Sequence, residues 1–155
     1  MTPTLRDEIK QKKPFKSLHE EAALNVIRTS AVLNDHFEKM IKPYGITGTQ
    51  YNVLRILRGS DETGLCRNEV RDRLLTRMPD ATRLLDRMEA AGLISRSREQ
   101  DDRRIVTTRL TRKGRHLVDE LDPVVARENK GRLGHLTDKQ LATLNSLLTL
   151  ARNPD

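Results

Sequence analysis

Residues 76–94 read TRMPDATRLLDRMEAAGLI, and the fold turns on whether this is an ordinary surface helix or one built to touch something. Ala81, Leu85 and Met88, with Leu84, recur at helical spacing and define an apolar face. Pro79 suits a first helical turn, where its missing N–H is not needed. Asp80 in that turn would complement the positive end of the helix dipole. Gly92 fits the left-handed residue that closes a helix, and Leu93 supplies the hydrophobic contact after it. The opposite face carries Thr82, Arg83 and Arg87. Its arginines are either solvated and paired to Asp86 or Glu89, or they are forked donors aimed at base edges and phosphates.

Beyond Leu93 the period changes. Ile94–Arg98 is extended in character, Ile105–Leu110 is rich in β-branched residues, and EQDDRR (99–104) between them reads as a charged hairpin tip. Upstream, Leu65 to Leu75 is expected as a helix with Val70 and Leu74 inward. Thr47-Gly-Thr-Gln50 is a capping box for a further helix, with Ile46 and Tyr51 at the staple positions. Val53, Leu54, Ile56 and Leu57 form its buried stripe, and Gly59 follows its end.

Two longer helical patterns flank this middle portion. One opens at the Ser17–Glu20 capping box and runs to about Lys42, where Pro43 and Gly45 stop it. Its apolar positions are Ala23, Val26, Ile27, Leu33, Phe37, Met40 and Ile41. The other is capped by Thr111, carries Leu117, Val118, Leu121, Val124 and Val125, and should bend at Pro123. A last helix opens at the Thr137–Gln140 box with Leu144, Leu147 and Leu148. Residues 1–16 contain two prolines and a basic cluster, and read as an arm.

Composition narrows the function. The 155 residues suit one domain, with aromatic content of 3% and no Trp. No run reaches membrane-spanning length, and no signal-type apolar segment follows the N-terminus. A single Cys excludes a disulfide framework and fits a cytoplasmic location. The four His residues lack metal-ligand spacing, no glycine-rich phosphate loop is present, and no nucleophile–base pair can be nominated. Neither metal, cofactor nor enzymatic activity is therefore expected. The net charge of +7 is unevenly spread: residues 65–115 hold 14 basic and 8 acidic side chains, and every basic residue there except Lys113 is Arg. A localised basic excess is the footprint of a nucleic-acid binder.

Three short helices followed by a charged two-stranded hairpin describe a winged helix-turn-helix, a mainly α fold with a small β-hairpin wing. In that arrangement the last of the three helices enters the major groove. TRLLDRMEAAGLISR (82–96) and DDRRIVTTRLTRKG (101–114) resemble the MarR family of bacterial transcription regulators. The family's text is similar: a helix closing on Gly-Leu-(Ile/Val)-x-Arg, then Asp-x-Arg, then Leu-Thr-x-x-Gly. The resemblance spans all but the N-terminal arm. It implies a homodimeric regulator, most often a repressor, bound to a pseudo-palindromic stretch of double-stranded DNA. It also implies an organisation into arm (1–16), helical dimerisation region (17–45 and 111–155) and DNA-binding domain (46–110).

On that resemblance Thr82, Arg83 and Arg87 become base or phosphate contacts, Arg96 and Arg98 phosphate contacts, and Arg103 or Arg104 a wing contact braced by Asp102. Asp80 departs from the Ser or Thr that relatives often carry, and is either a dipole partner or an acceptor for cytosine N4. Many relatives release DNA when a small aromatic or phenolic acid binds between winged domain and dimer helices; Tyr51 and His36 are candidates to line such a crevice, though Tyr51 also reads as core. Two alternatives stand beside this. Cys66, where Ser or Thr would complete a box with Glu69, could act as a redox switch; oxidant-sensing relatives usually carry their Cys in the first helix, which here has none. A winged helix used for protein contact is the other, and would not need Arg concentrated in residues 65–115.

Overall fold

Side chains cap most helix starts, and the caps fix where the elements begin. The computed structural model describes residues 2–60, 62–99 and 104–153, in two compact units, residues 1–48 and 49–155. In the first unit, the stretch expected as an arm holds a short helix, α1 (Leu5–Glu8), opened by a reciprocal Thr4–Asp7 capping box. Helix α2 (Leu18–Ile41) follows Ser17, whose hydroxyl accepts the Glu20 N–H at 3.1 Å. A 3-10 turn (Lys42–Tyr44) ends at Gly45, whose φ of 75° is the left-handed geometry that glycine tolerates best. Along the 24 residues of α2 only Ile41 is buried, and Ile27 is 64% exposed.

The second unit comprises most of α3 (Gly48–Arg58), β1 (Leu65–Cys66), α4 (Arg67–Arg73), α5 (Thr82–Ala90), β2 (Ile94–Arg98), β3 (Val106–Leu110), α6 (Arg112–Leu133) and α7 (Asp138–Arg152). Val53, Leu54 and Leu57 of α3, Val70 of α4, Leu85 and Met88 of α5, and Val118 and Leu121 of α6 are among its buried apolar side chains. They match the positions that the helical period selects. The strands form an antiparallel sheet in the order β1-β3-β2, with Ile94 opposite Leu110 and Arg98 opposite Val106.

Two expected elements differ. The helix foreseen over Leu65–Leu75 starts only at Arg67, because Leu65 and Cys66 pair with Thr108 and Thr107 of β3. It ends at Arg73; Leu74 is extended and half-buried rather than inward, and Leu75, 88% exposed, gives its N–H to Asn52 Oδ1. The helix foreseen from Pro79 starts at Thr82, so Pro79 and Asp80 lie outside it.

Helix α6 continues through Pro123. It is tied to α3 by Arg58, whose Nη1 lies 3.0 Å from Asp119 and 2.6 Å from Asp122. Arg58 holds the Asp122 carboxyl below the usual range. The Tyr51 hydroxyl donates to Asp122 at 3.4 Å. Helix α7 has the expected Thr137–Gln140 capping box but no buried residue, and Leu150 is 66% exposed. Among the described residues, no helix is long and apolar enough to cross a membrane.

Candidate nucleic-acid interface

Helices α4 and α5, joined by residues 74–81, form the helix-turn-helix, and the β2–β3 pair is the wing. The start of α5 is organised by a side chain outside it. Asp80 accepts both the Thr82 N–H at 3.0 Å and the Thr82 hydroxyl at 2.6 Å. Arg67 Nη1 donates to the same hydroxyl oxygen at 3.1 Å. The Thr82 bonds, hydroxyl first and backbone second, lower the Asp80 pKa, with the charges of Arg67 and Arg71 adding to the effect. Asp80 thus satisfies an N–H that the first turn of a helix leaves without an internal partner. The single Thr82 O–H donor is directed at Asp80.

The far end of α5 closes as its sequence requires. Gly92 has φ 72°, its N–H bonds to Glu89 O, and the Leu93 N–H bonds to Met88 O, a Schellman closure. The start of α6 then covers the adjacent carbonyls. Lys113 Nζ donates to Ala91 O at 2.8 Å, the Thr111 hydroxyl to Gly92 O at 2.6 Å, and the Thr111 N–H to Leu93 O at 3.2 Å.

The acids of α5 face the wing and not its own arginines. Arg96, on β2, places Nε and Nη2 on Glu89 Oε2 at 3.0 and 2.7 Å, and Nη2 on Asp86 at 2.6 Å. Its backbone N–H donates to Glu89 Oε1 at 3.1 Å. The Arg96 guanidinium lowers the Glu89 pKa, and Glu89 in turn raises that of Arg96. Arg96, expected as a phosphate contact, has its guanidinium engaged by Glu89 and Asp86 and clamps the wing to the helix. Arg83 and Arg87 are exposed, and neither pairs with Asp86 or Glu89. Arg83 makes no side-chain hydrogen bond or ion pair among the described residues, and Arg87 only an Nε bond to Arg83 O at 3.3 Å. Arg98 is likewise exposed and without such a partner among the described residues.

Asp102 and Arg103 lie outside the described residues. Arg104 lines a groove of about 550 Å³ with Cys66, Arg67, Thr82, Arg96 and Thr108. Cys66 is half-buried and caps α4, its N–H donating to Glu69 Oε2 at 2.8 Å. Within the wing a bracing residue not foreseen is Arg109, which reaches Ser97 Oγ at 2.9 Å, Glu99 at 3.2 Å and Glu62 O at 3.1 Å. The sequence carried no cue to it: the contact follows from the strand register, in which Arg109 pairs with Ser95 and Ser97 is its diagonal neighbour. Tyr51 is only 4% exposed, and its burial raises its pKa, as befits a core residue; His36 is exposed on α2.

Comparison with known proteins matches residues 44–105 to the MarR family. The transcriptional regulator TtmR of Methylorubrum extorquens is 30% identical over 87% of this chain and 68% of its own. The crystal structure of a MarR transcription factor from Planctomyces limnophilus is 35% identical, with a TM-score of 0.67, over 88% of this chain and 99% of that one. The transcriptional repressor CouR, solved bound to a 23-mer DNA duplex, is 28% identical with a TM-score of 0.76, over 91% of this chain and 99% of that one.

Proposed function

This chain belongs to the MarR family of transcription regulators, and from that premise we propose that it is a repressor that binds a pseudo-palindromic operator as a homodimer. Helix α5 reads the major groove through Arg83 and Arg87, while Arg98 and Arg104 hold the backbone beside it. The observation that carries this reading is the division of charge on α5. Its two acids are engaged by Arg96, and its two arginines are left to solvent. A helix with only a structural role would gain nothing from that separation. CouR, described as a repressor and bound to duplex DNA, supports the sense of regulation. The uncovered apolar side chains of α2, and separately those of α7, support the second copy, since exposed apolar helix faces mark association surfaces. A protein acting on the chromosome in this way works in the cytoplasm and needs no catalytic group. Tyr51, buried and bonded to Asp122, lends no support to an effector crevice.

Selection of bound sequences from random duplex DNA tests the proposal. Enrichment of an inverted repeat, with half-sites about one helical turn apart, is the expected result. Failure to enrich any sequence would overturn it, as would binding indifferent to salt.

The Arg96 clamp gives a second expectation. Arg96→Ala should weaken DNA binding, because it exposes the carboxylates of Asp86 and Glu89 on the reading helix. Each should repel phosphate on the order of 0.5 to 1 kcal/mol at moderate salt. Adding Asp86→Asn and Glu89→Gln to Arg96→Ala should restore most of the affinity. Titration of the recovered site with the single and triple variants checks this; a triple variant no better than the single one would instead make Arg96 a phosphate contact.

A further inference from the structure

We propose that Arg67 is a further contact to the DNA backbone beside the site read by α5, and that Thr82 and Asp80 position it; the inference rests on the DNA-binding reading above. Arg67 is the first residue of α4 and is exposed. Its Nη1 donates to the hydroxyl oxygen of Thr82, the first residue of α5, at 3.1 Å. That hydroxyl donates in turn to Asp80 Oδ1 at 2.6 Å, and the same carboxylate oxygen accepts the Thr82 N–H at 3.0 Å. A hydroxyl both donates and accepts, so Thr82 serves its two neighbours at once. Donation to a carboxylate makes the hydroxyl oxygen a better acceptor, so the two bonds strengthen each other.

What these bonds hold is a fork with donors to spare. A guanidinium presents several N–H groups in a rigid plane. Apart from the bond to Thr82, those of Arg67 have no hydrogen bond or ion pair among the described residues. A side chain already held in place loses less freedom when it binds. The first helix of a helix-turn-helix crosses the DNA backbone while the second enters the groove. Arg67 stands where a side-chain bond joins those two helices, and it lines the same groove as Arg104. A forked donor at that junction meets phosphate, where it can take two oxygens of one group.

Excess positive charge is not the ground for this assignment. Asp80 stands ionised beside Arg67, and Glu69 and Asp72 are acids of the same helix. Glu69 accepts the Cys66 N–H at 2.8 Å, and Asp72 pairs with Arg71 at 2.9 Å. Arg67 and Asp80 together are close to neutral, so it is the fixed placement of the fork that counts. The same arrangement accounts for an acid at the start of a reading helix. A lone carboxylate there would repel phosphate, but Asp80 is turned onto Thr82 and orients, through that hydroxyl, the cation that meets the backbone.

The test uses the full chain carrying Arg67→Gln, Thr82→Val, or both. Each is titrated, beside the unaltered protein, with the site recovered by selection and with a random duplex, between roughly 50 and 200 mM salt. Arg67→Gln should make the dependence of log affinity on log salt less steep by about 0.9 per bound subunit. It should weaken binding to both duplexes by a similar factor and leave the preferred bases unchanged. Thr82→Val keeps the charge of Arg67 but not its position, so it should weaken binding only while Arg67 is present. Added to Arg67→Gln, it should change affinity by less than about 2-fold. Thr82→Ser, which keeps the hydroxyl, should recover the affinity that Thr82→Val loses. Every variant should melt within about 2 °C of the unaltered protein. An unchanged slope for Arg67→Gln overturns the inference, and a lowered Tm beside it would make the bond only a brace between the helices. New base preferences for Arg67→Gln would put the guanidinium on a base edge and overturn the assignment to phosphate. Equal losses from Thr82→Val with and without Arg67 would put the Thr82 hydroxyl on the DNA itself and overturn its positioning role. If the unaltered protein enriches no sequence and binds neither duplex, it is the reading of α5 that fails.

Discussion

With Arg83 replaced by Ala, affinity for the preferred sequence is expected to fall by roughly 5- to 150-fold for each half-site, the 1 to 3 kcal/mol of a bidentate arginine–guanine contact. Arg83 is the second residue of α5, and no acid of its own helix restrains its guanidinium. In a homodimer both copies change, so the loss on a full operator is the product of two such factors. Binding to random DNA should drop far less, because one charge among many contributes to it. Arg83→Lys separates the two effects. It keeps the charge and loses the fork, so its salt dependence should match that of the unaltered protein while base preference at the contacted position relaxes. The measurement is sequence selection with all three proteins. Should the Lys variant return the same preferences as Arg83, the guanidinium is not reading a base.

How far the sequence discloses this site depends on the range of the interaction. The apolar face of α5 and its Gly92 closure follow from spacing within one helix, and the structure reproduces both. The wing strands were legible from their β-branched content, to within a residue of Val106–Leu110. Strand β1 was not, because two residues carry no period; only its pairing with Thr107 and Thr108 makes it a strand. The Arg96 clamp escaped for a different reason. No helical spacing joins residues 86 and 89 to 96, and the contact exists only because the chain reverses at Gly92. Asp80 misled through Pro79, which fits a first turn equally well; the carboxylate instead takes the Thr82 N–H and sets the start two residues later. Helix α1 had a readable sign in Thr4-Leu-Arg-Asp7, a box of the kind identified at Ser17, set within a stretch whose prolines and lysines suggested an arm.

The largest effect on stability is expected at Gly114, which the sequence marks only as the end of Leu-Thr-x-x-Gly. It sits buried in the first turn of α6, its N–H held by Thr111 Oγ1 at 3.0 Å. A Cβ there would lie 2.0 Å from Leu93 O and 3.0 Å from Leu93 C, both backbone atoms. That carbonyl also receives the Thr111 N–H and lies between the closure of α5 and the first wing strand, so it cannot retreat without moving the reading helix or the wing. Alanine normally favours a helix by about 1 kcal/mol over glycine, but overpacking costs about 1 to 3 kcal/mol, and a clash with backbone that cannot yield falls at the upper end, about 3 kcal/mol. The net cost of about 2 kcal/mol should therefore lower the Tm by roughly 4 to 8 °C for Gly114→Ala at equal protein concentration. Gly131, in the same helix, has no atom within 4 Å of a built Cβ. Gly131→Ala should accordingly raise the Tm by roughly 1 to 4 °C. Thermal unfolding of the two variants decides the matter by sign. If Gly114→Ala melts at or above the unaltered protein, the close approach of α6 to Leu93 does not fix the junction between reading helix and wing.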